Sequence, residues 1–534
     1  MKTFLQPLQN LAEMEEIQKQ AKKNRGILEI SGCMESQKAH LMYGLSGLFP
    51  CHLVIAADEK SAKELYEDYR FYDKRVYYYP AKDLLFFQAD IHGNLLIRQR
   101  MQVIRALLER EDEITVVTSI DGCMDYLAPL EKIEKQLIHF RNDSTLDMDK
   151  LTAALVHMGY ERVGQVEMPG QFSIRGGIID IYSLTEENPW RIELWGDEID
   201  SIRSFDAQSQ RSLENLDDVT IYPAAEQPME KNGVSFLDYF KETETLFFLD
   251  ELNHLEENAK AVQEEFQQSC ENRKEKGEIS LSGDWMCTWE ELCHKINDRN
   301  CVAMSLLDPK KSNWKISGQF NITVKSMSSY QSSFELLVKD LKQYKKEGYQ
   351  IVLLSGSRTR AERLAKDLQE EGLNAFYGQD SDRILQPGEI MVAYGHARRG
   401  FEYPLVKFAV ITETDIFGKE QKKRKKKKEY NGKRIQDFSE LSIGDYVVHE
   451  KHGLGIYKGI EKVAVDKVAK DYIKIEYDKG GNLYVLATQL DLIQKYAGSD
   501  AKKPKLNRLG GQDWERTRSK VQGAVKEIAQ VLVD

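Results

Sequence analysis

Apolar and polar positions alternate between residues 170 and 212, which predicts a small antiparallel β-sheet. Three strands are expected, at Gln171–Arg175, Ile178–Tyr182 and Trp190–Trp195, and Gly176-Gly177 is a tight-turn signal between the first two. The apolar positions of the first and third strands share one face: Phe172, Ile174, Trp190, Ile192 and Leu194. We expect that face to pack on a core.

The opposite face of the same sheet is polar and carries one tryptophan. It is predicted to hold Gln171, Ser173, Arg175, Arg191, Glu193 and Trp195. Because side chains alternate across a strand, Arg175, Arg191 and Trp195 should point outward. An outward tryptophan beside arginine is typical of an interface anchor. A tryptophan lying over an arginine stem on an ordinary surface fits the alternation equally well.

Outside this segment, short buried-strand runs alternate with helical patterns, which predicts an α/β multidomain chain. Residues 1–130 are expected to form an α/β domain (1a), and residues 131–212 a small inserted α+β domain (domain 2). Residues 213–320 should complete the first domain (1b), and residues 321–418 should form a second α/β domain (domain 3).

The first predicted strand leads into Gly32–Ala39, which keeps the register of a phosphate-binding loop, GxxxxGK[ST]. Gln37 stands where a glycine lets the backbone wrap the phosphates, and Ala39 stands where a hydroxyl would hold magnesium. Lys38 alone is a point charge. We therefore predict a degenerate, non-functional nucleotide loop that keeps only its fold. Asp250-Glu251, in a stretch similar to an acidic helicase motif, should be a strand end.

Closely spaced strand signals in residues 439–497 predict a small β-barrel of SH3 or Tudor type. Strands are expected on both sides of the glycine turn in GDYVVHEKHGLGIYKGI, then at 460–468, 471–477 and 482–486, with a short helix at 489–496. Val463 and Val465 share one face of their strand. The alternation leaves open whether that face meets a partner or the barrel core.

Two segments flank this module. Residues 419–438 contain KEQKKRKKKKEYNGKR, which cannot be buried and is predicted to be a basic linker. A weak, salt-sensitive phosphate contact is the alternative. Residues 498–534 predict a linking helix with an apolar stripe.

Composition excludes several classes of protein. A chain of 534 residues with 41% apolar and 30% charged residues can bury several cores. A net charge of -11 argues against a generally basic nucleic-acid binder. Seven cysteines without a CxxC pair indicate reduced thiols and no metal site, as in a cytoplasmic protein. No apolar run is long enough to predict a membrane span.

Several sequence strings resemble known repair proteins. RGGIIDIY, PWRIELWGDEIDSIRSFD and SQRS resemble the second domain of UvrB and of the bacterial transcription-repair coupling factors. GD-x-VVH-x-x-HG-x-G resembles the RNA-polymerase-interaction domain that the coupling factors share with CarD-type regulators. The resemblance covers essentially the whole chain, in the family's domain order. It implies the N-terminal half of a coupling factor, with UvrB-like domains 1a, 2 and 1b.

The resemblance also implies two binding partners. UvrA would bind at Arg175, Arg191 and Trp195, and the RNA polymerase β subunit at Lys462, Val463, Ala464 and Val465. The polymerase contact would be strand addition, driven by main-chain hydrogen bonds. The implied function is an adaptor in transcription-coupled nucleotide excision repair, which holds a stalled polymerase and recruits UvrA to DNA damage.

Catalysis is expected elsewhere in such a protein. The resemblance places the ATP-driven DNA translocase, with its ATP, its magnesium and most contacts to double-stranded DNA, in a motor absent from this chain. We expect this chain to be a cytoplasmic monomer without a cofactor. Two alternatives are a UvrB-like ATPase acting on damaged DNA, which Gln37 and Ala39 disfavour, and a CarD-like transcription regulator, which would lack affinity for UvrA.

Overall fold

The structure is a computed structural model that describes residues 1–23, 25–82, 94–111, 113–142, 144–226, 233–275, 286–307, 314–378, 382–418, 433–434, 441–449, 452–465, 468–478, 481–486, 492–496 and 506–507. Most of the predicted linker and of the predicted helix at 498–534 lies outside these residues. Among the described helices, none combines the length and the apolar character needed to cross a membrane.

Helices and strands alternate along most of the described chain. The helices are α1 (Lys2–Gln9), α2 (Met14–Lys23), α3 (Glu35–Leu45), α4 (Glu59–Tyr69), α5 (Asn94–Leu108), α6 (Leu130–Glu134), α7 (Met148–His157), α8 (Leu252–Glu275), α9 (Trp289–Asn297), α10 (Phe334–Glu347), α11 (Arg358–Glu370) and α12 (Glu413–Phe417). The first strands are β1 (Gly26–Ser31), β2 (Cys51–Ala56), β3 (Val76–Tyr79), β4 (Ile114–Ser119), β5 (Tyr126–Leu127), β6 (Ile138–Arg141), β7 (Glu161–Arg162), β8 (Gln171–Arg175), β9 (Ile178–Ile181), β10 (Trp190–Trp195), β11 (Glu198–Phe205), β12 (Ser212–Leu216), β13 (Asp218–Ile221) and β14 (Val234–Ser235). The remaining strands are β15 (Thr245–Asp250), β16 (Asn300–Ser305), β17 (Ile316–Asn321), β18 (Lys325–Ser326), β19 (Gln350–Ser355), β20 (Asn374–Tyr377), β21 (Glu389–Tyr394), β22 (Phe401–Tyr403), β23 (Phe408–Thr412), β24 (Lys433–Arg434), β25 (Tyr446–His449), β26 (Gly453–Val465), β27 (Val468–Glu476), β28 (Asn482–Leu486) and β29 (Ile493–Lys495).

The chain divides into two compact units. Unit 1 comprises Met1–Lys82, Gln102–Glu131 and Met229–Lys423, and unit 2 comprises Asp83–Met101, Lys132–Pro228 and Arg424–Asp534.

Unit 1 contains two sheets of α/β type. The first has the strand order β17-β1-β16-β15-β2-β4-β3, with parallel pairing throughout. It joins strands that precede residue 131 with strands that follow residue 229. Strands β1, β4 and β15 are buried along their whole length, which explains why apolar and polar residues do not alternate strictly along them.

The second sheet of unit 1 has the strand order β18-β22-β23-β19-β21-β20. Its central strands are parallel, whereas β22 pairs antiparallel with both β18 and β23. Helix α10 ends at Glu347 and is followed by Gly348, whose φ of 79° gives the left-handed C-cap before β19.

Unit 2 contains the predicted interaction sheet, with the strand order β12-β11-β10-β9-β8-β7. Its strands pair antiparallel except β7 with β8. Trp190 and Ile192 are buried, as predicted. Gln171 and Ser173 are also buried, contrary to the prediction. The reason is that the segment before β8 folds over them: the Gln171 side chain accepts hydrogen bonds from two backbone N–H groups, and Ser173 donates to the carbonyl of Gly164.

Unit 2 also contains a two-stranded sheet, β13-β6, and a second six-stranded sheet at residues 433–495, which is open and has the order β24-β29-β25-β26-β27-β28. In the described strands it does not close, so the predicted SH3- or Tudor-type barrel is wrong for this part of the chain. Strand β26 runs far past the end of its pairing with β25, and a register shift beside Gly459, whose φ is 109°, interrupts its ladder with β27. The two strands expected on either side of residue 460 are therefore one strand.

Two shorter predictions in this module also differ from the structure. Ile493–Lys495 is a strand rather than part of a helix at 489–496, because its backbone pairs with both β24 and β25. Lys433–Arg434, placed in the predicted basic linker, forms a short strand against β29.

Candidate protein-interaction sites

Trp195 lies at the end of β10, where the strand turns at Gly196 into β11. Its side chain is 84% exposed, the highest exposure among the large apolar residues of the described chain. A ladder irregularity between Glu193 and Leu194 precedes it, and Trp195 pairs across the turn with Glu198. An aromatic side chain of this size held in water has few stabilising contacts within the fold, which is typical of an anchor for a partner.

Arg175 and Arg191 converge on one carboxylate, that of Asp180 in β9. Asp180 is fully buried and lies directly opposite Arg191 in the ladder. Arg191 donates from Nε to Oδ1 at 2.7 Å and from a terminal nitrogen to Oδ2 at 2.9 Å, and Arg175 donates to Oδ2 at 2.7 Å. The hydrogen bond with Asp180 raises the pKa of Arg191, so the guanidinium stays charged.

The two arginines differ in exposure. The Arg175 side chain is 47% exposed, whereas that of Arg191 is only 14% exposed. Besides Asp180, the Arg191 guanidinium contacts the side-chain oxygen of Gln210 and lies 4.4 Å from the centre of the Phe205 ring. The prediction that Arg191 points outward is therefore wrong for most of its side chain. Asp180, Gln210 and Phe205 hold the guanidinium against the sheet, so little of it reaches solvent.

Asp180 is the residue that the sequence reasoning missed. It stands between isoleucines in the apolar run of β9, and an acidic residue in such a strand is rarely buried without a cationic partner. An acidic residue within an otherwise apolar strand is the feature of the sequence that indicates a buried ion pair here.

The loop that is predicted to be a degenerate nucleotide loop follows β1 in unit 1, and the backbone N–H groups of its first three residues donate hydrogen bonds within the chain. Gly32 N–H donates to the carbonyl of Leu306 at 3.3 Å, and Cys33 N–H donates to that of Ser305 at 3.0 Å. The next N–H, of Met34, donates to the side-chain oxygen of Gln37 at 3.1 Å. In a working loop such groups face phosphate oxygens.

Lys38 of this loop is buried between two carboxylates. Its Nζ lies 2.6 Å from Asp250 Oδ1 and 2.6 Å from Glu251 Oε1. Burial opposes the charged form of Lys38, but the two carboxylates outweigh it and raise the pKa of Lys38. Asp250 ends β15, as predicted, while its contact with Lys38 was not foreseen because 212 residues separate the two.

The two substituted positions of the loop serve packing. The Gln37 side chain donates a hydrogen bond of 2.9 Å to the Tyr403 hydroxyl, and Ala39 is fully buried. His40, one position on, contacts the same hydroxyl. These contacts place the loop's side chains in the interior of unit 1.

The predicted polymerase-binding residues, Lys462, Val463, Ala464 and Val465, lie at the end of β26. They pair with β27 in the register Lys462↔Asp471, Val463↔Lys470, Ala464↔Ala469 and Val465↔Val468. Strand β25 pairs only with residues 453–456 of β26, so in the described strands the other edge of this stretch has no partner. Their side chains lie outside the described part, and the face on which Val463 lies stays a prediction.

No group of three or more histidine, cysteine, aspartate or glutamate side chains gathers as a metal site among the described residues.

Comparison with known proteins identifies two domains. Residues 138–226 match the UvrB interaction domain, and residues 441–497 match the CarD-like/TRCF RID domain. The first match covers the sheet that carries Trp195, and the second covers the module that carries β26.

Whole-chain relatives agree with these two matches. The chain is 33% identical to the transcription-repair-coupling factor of Bacillus subtilis, over 94% of this chain and 49% of that protein. It is 29% identical to the factor of Staphylococcus haemolyticus and 28% identical to that of Staphylococcus aureus strain MRSA252, each over 86% of this chain and 44% of the relative. The chain thus spans about half the length of the curated relatives it matches, and over most of its own length it is similar to transcription-repair-coupling factors.

Proposed function

We propose that this chain is an adaptor in transcription-coupled nucleotide excision repair, which binds UvrA with one domain and the RNA polymerase β subunit with another. The observation that carries the proposal is the presence of a UvrB interaction domain and a CarD-like/TRCF RID domain in one chain. An adaptor of this kind brings the repair machinery to a polymerase stalled at DNA damage.

The proposed UvrA surface is the end of the interaction sheet. Trp195 supplies an exposed apolar anchor, and Arg175 supplies an exposed cation on the same sheet. Arg191, whose guanidinium is held by Asp180, supports Arg175 rather than reaching the partner. The complementary surface would offer an apolar pocket for Trp195 and an acidic group for Arg175.

The proposed polymerase surface is the unpaired edge of β26 at Lys462–Val465. A strand with an open edge offers a row of main-chain donors and acceptors that another strand can pair with. The long β26–β27 ladder keeps this edge extended.

We further propose that unit 1 is a non-catalytic scaffold. The engagement of Lys38 by Asp250 and Glu251, and of the loop N–H groups by chain carbonyls, supports this. ATP turnover and translocation on double-stranded DNA would then require sequence beyond this chain. The domain boundaries remain those expected above, with domains 1a and 1b sharing one parallel sheet.

Separate co-purification of the chain with UvrA and with the polymerase β subunit tests the proposal. We expect both partners to be retained. Retention of the β subunit alone would favour the CarD-like regulator, and loss of both would refute the adaptor function.

Trp195→Ala is expected to weaken UvrA binding by about 2 kcal/mol or more, about 30-fold in Kd, because it removes the central apolar anchor. The thermal stability of the chain should not change, since the side chain is exposed. Isothermal titration with UvrA measures the effect. Leu405→Ala is the matched control and should bind as the parent does. Leu405 is also a highly exposed apolar residue, but it lies in unit 1, whereas Trp195 lies in unit 2. Equal affinities of the two variants would contradict the assigned surface.

Saturating MgATP is expected to leave the melting temperature of the chain unchanged. A working site at about 100-fold excess of ligand over Kd would add about 2.7 kcal/mol of stability, which a thermal-shift measurement resolves easily. Magnesium tripolyphosphate serves as the ionic control. A rise in melting temperature with MgATP but not with the control would support the UvrB-like ATPase instead.

A further inference from the structure

The carboxylate of Asp180 is the point on which the cations of the interaction sheet converge. Its Oδ2 accepts from both Arg175 and Arg191, and its Oδ1 accepts from Arg191 Nε. Its neighbours in β9, Ile179 and Ile181, are fully buried, and strand alternation puts them on the other face of the sheet. The acid therefore lies on the same face as Arg191, its ladder partner, beneath the two guanidinium groups.

Burial prevents Asp180 from contacting a partner itself, because no part of the residue is exposed. Its influence must pass through the two arginines. Arg191 is fixed on both sides, by the two-pronged contact with Asp180 and by Phe205 and Gln210. Arg175 shares Oδ2 through one terminal nitrogen, while about half of its side chain remains exposed.

The charges around Asp180 indicate what a buried acid does at this position. One carboxylate faces two guanidinium groups, so the cluster keeps an excess positive charge that is presented through Arg175. A buried ion pair seldom stabilises a fold more than apolar residues of similar volume would. It does fix the orientation of a long, flexible arginine side chain before a partner arrives, and such preorganisation lowers the entropic cost of binding.

We infer that Asp180 is a positioning residue of the UvrA-binding surface. Asp180 holds the Arg191 guanidinium in place and, together with Arg191, orients Arg175 toward an acidic group on UvrA. This inference rests on the proposed function, since it assigns a residue within the same surface.

The test is isothermal titration of UvrA with the full chain carrying Asp180→Asn. The amide keeps the size of the side chain but turns an N–H donor toward a guanidinium that also donates, so we expect affinity to fall about tenfold. Binding of the polymerase β subunit, measured in parallel, should stay unchanged. Arg175→Ala and Trp195→Ala, in the same titration, show whether the surface binds UvrA at all.

A double variant separates positioning from general damage to the sheet. If Asp180 acts through Arg175, adding Asp180→Asn to Arg175→Ala should weaken UvrA binding by less than about twofold more. The side chain that Asp180 would orient has already been removed. Distortion of the sheet would displace Trp195 as well, and Asp180→Asn would then still weaken binding in that background. Such a result would overturn the inference.

Other outcomes of these titrations overturn either the inference or the proposed surface. Unchanged affinity of Asp180→Asn, when Arg175→Ala and Trp195→Ala both bind weakly, overturns the inference and leaves the proposed surface standing. Unchanged affinity of all three variants refutes the surface itself. If thermal unfolding shows that Asp180→Asn does not fold, Asp180→Glu replaces it. That variant keeps the charge but moves the carboxylate outward by one methylene, so weaker binding is again expected, and parental affinity overturns the inference.

Discussion

Replacing Lys38 with methionine is expected to destabilise unit 1 by about 3–5 kcal/mol, because it removes one partner of a buried ion pair and leaves the other charged. Lys38 lies between Asp250 and Glu251 at 2.6 Å from each, and Asp250 is buried at the end of β15. Methionine fills a similar volume, so the loss reflects charge rather than a cavity. Urea unfolding of the variant and the parent measures the difference.

The effect should depend on pH in a defined direction. Burial already raises the pKa of Asp250 in the presence of Lys38, and loss of the lysine raises it further. A carboxyl group with a raised pKa binds more protons in the folded than in the unfolded state, so stability falls as pH rises through that range. The deficit of Lys38→Met relative to the parent should therefore be larger at about pH 8 than at about pH 5.

Two comparisons test this explanation. Lys60→Met, on the exposed face of α4, should unfold as the parent does at both pH values. Adding Asp250→Asn to Lys38→Met should recover part of the lost stability, because it neutralises the buried carboxyl group. A deficit that is independent of pH and is not relieved by Asp250→Asn would show that Lys38 contributes by packing alone.

Local alternation predicted the interaction sheet closely. The bounds of β8 and β10 coincide with the predicted strands, and the burial of Phe172, Trp190 and Ile192 follows from the period of two. The alternation of short buried strands with helices in unit 1 was also predicted from sequence. These features depend on residues that are neighbours in the sequence, so the sequence pattern predicts them directly.

Features that depend on distant residues were not predictable in this way. Arg191 turns inward because Asp180 lies on a neighbouring strand, and Lys38 is buried because β15 brings Asp250 beside it. Alternation places a side chain on a face of a strand but does not say what covers that face. For the same reason, Gln171 was expected to be exposed, although the loop before β8 covers it.

The expected barrel failed for a different reason. Strand count and spacing predicted a small closed sheet, but closure depends on how strands bend and where each one stops pairing. In β26 the ladder shifts beside Gly459, and the strand continues to Val465 after its contact with β25 has ended. The stretch that the family resemblance associates with polymerase is therefore the part of β26 that, in the described strands, pairs with β27 on one edge only.

Val463→Arg is expected to weaken binding of the polymerase β subunit by about 2 kcal/mol or more, about 30-fold in Kd. The residue lies in the middle of the stretch of β26 whose outer edge has no partner in the described strands. A strand added at that edge would bring its own side chains against the neighbouring positions, and a desolvated charge there is costly. Titration or pull-down with the purified β subunit measures the loss, and UvrA binding by the same variant should remain at the parental level.

The control for Val463→Arg must carry the same change on an exposed apolar residue of the same module. Ile443 meets this condition, since it is 75% exposed and precedes β25, so Ile443→Arg should keep parental affinity for the β subunit. The melting temperature decides between the two faces on which Val463 can lie. A folded Val463→Arg that no longer binds places Val463 at the interface, whereas a variant that unfolds places it in the core of the module. A folded variant with parental affinity would refute the edge of β26 as the polymerase-binding surface.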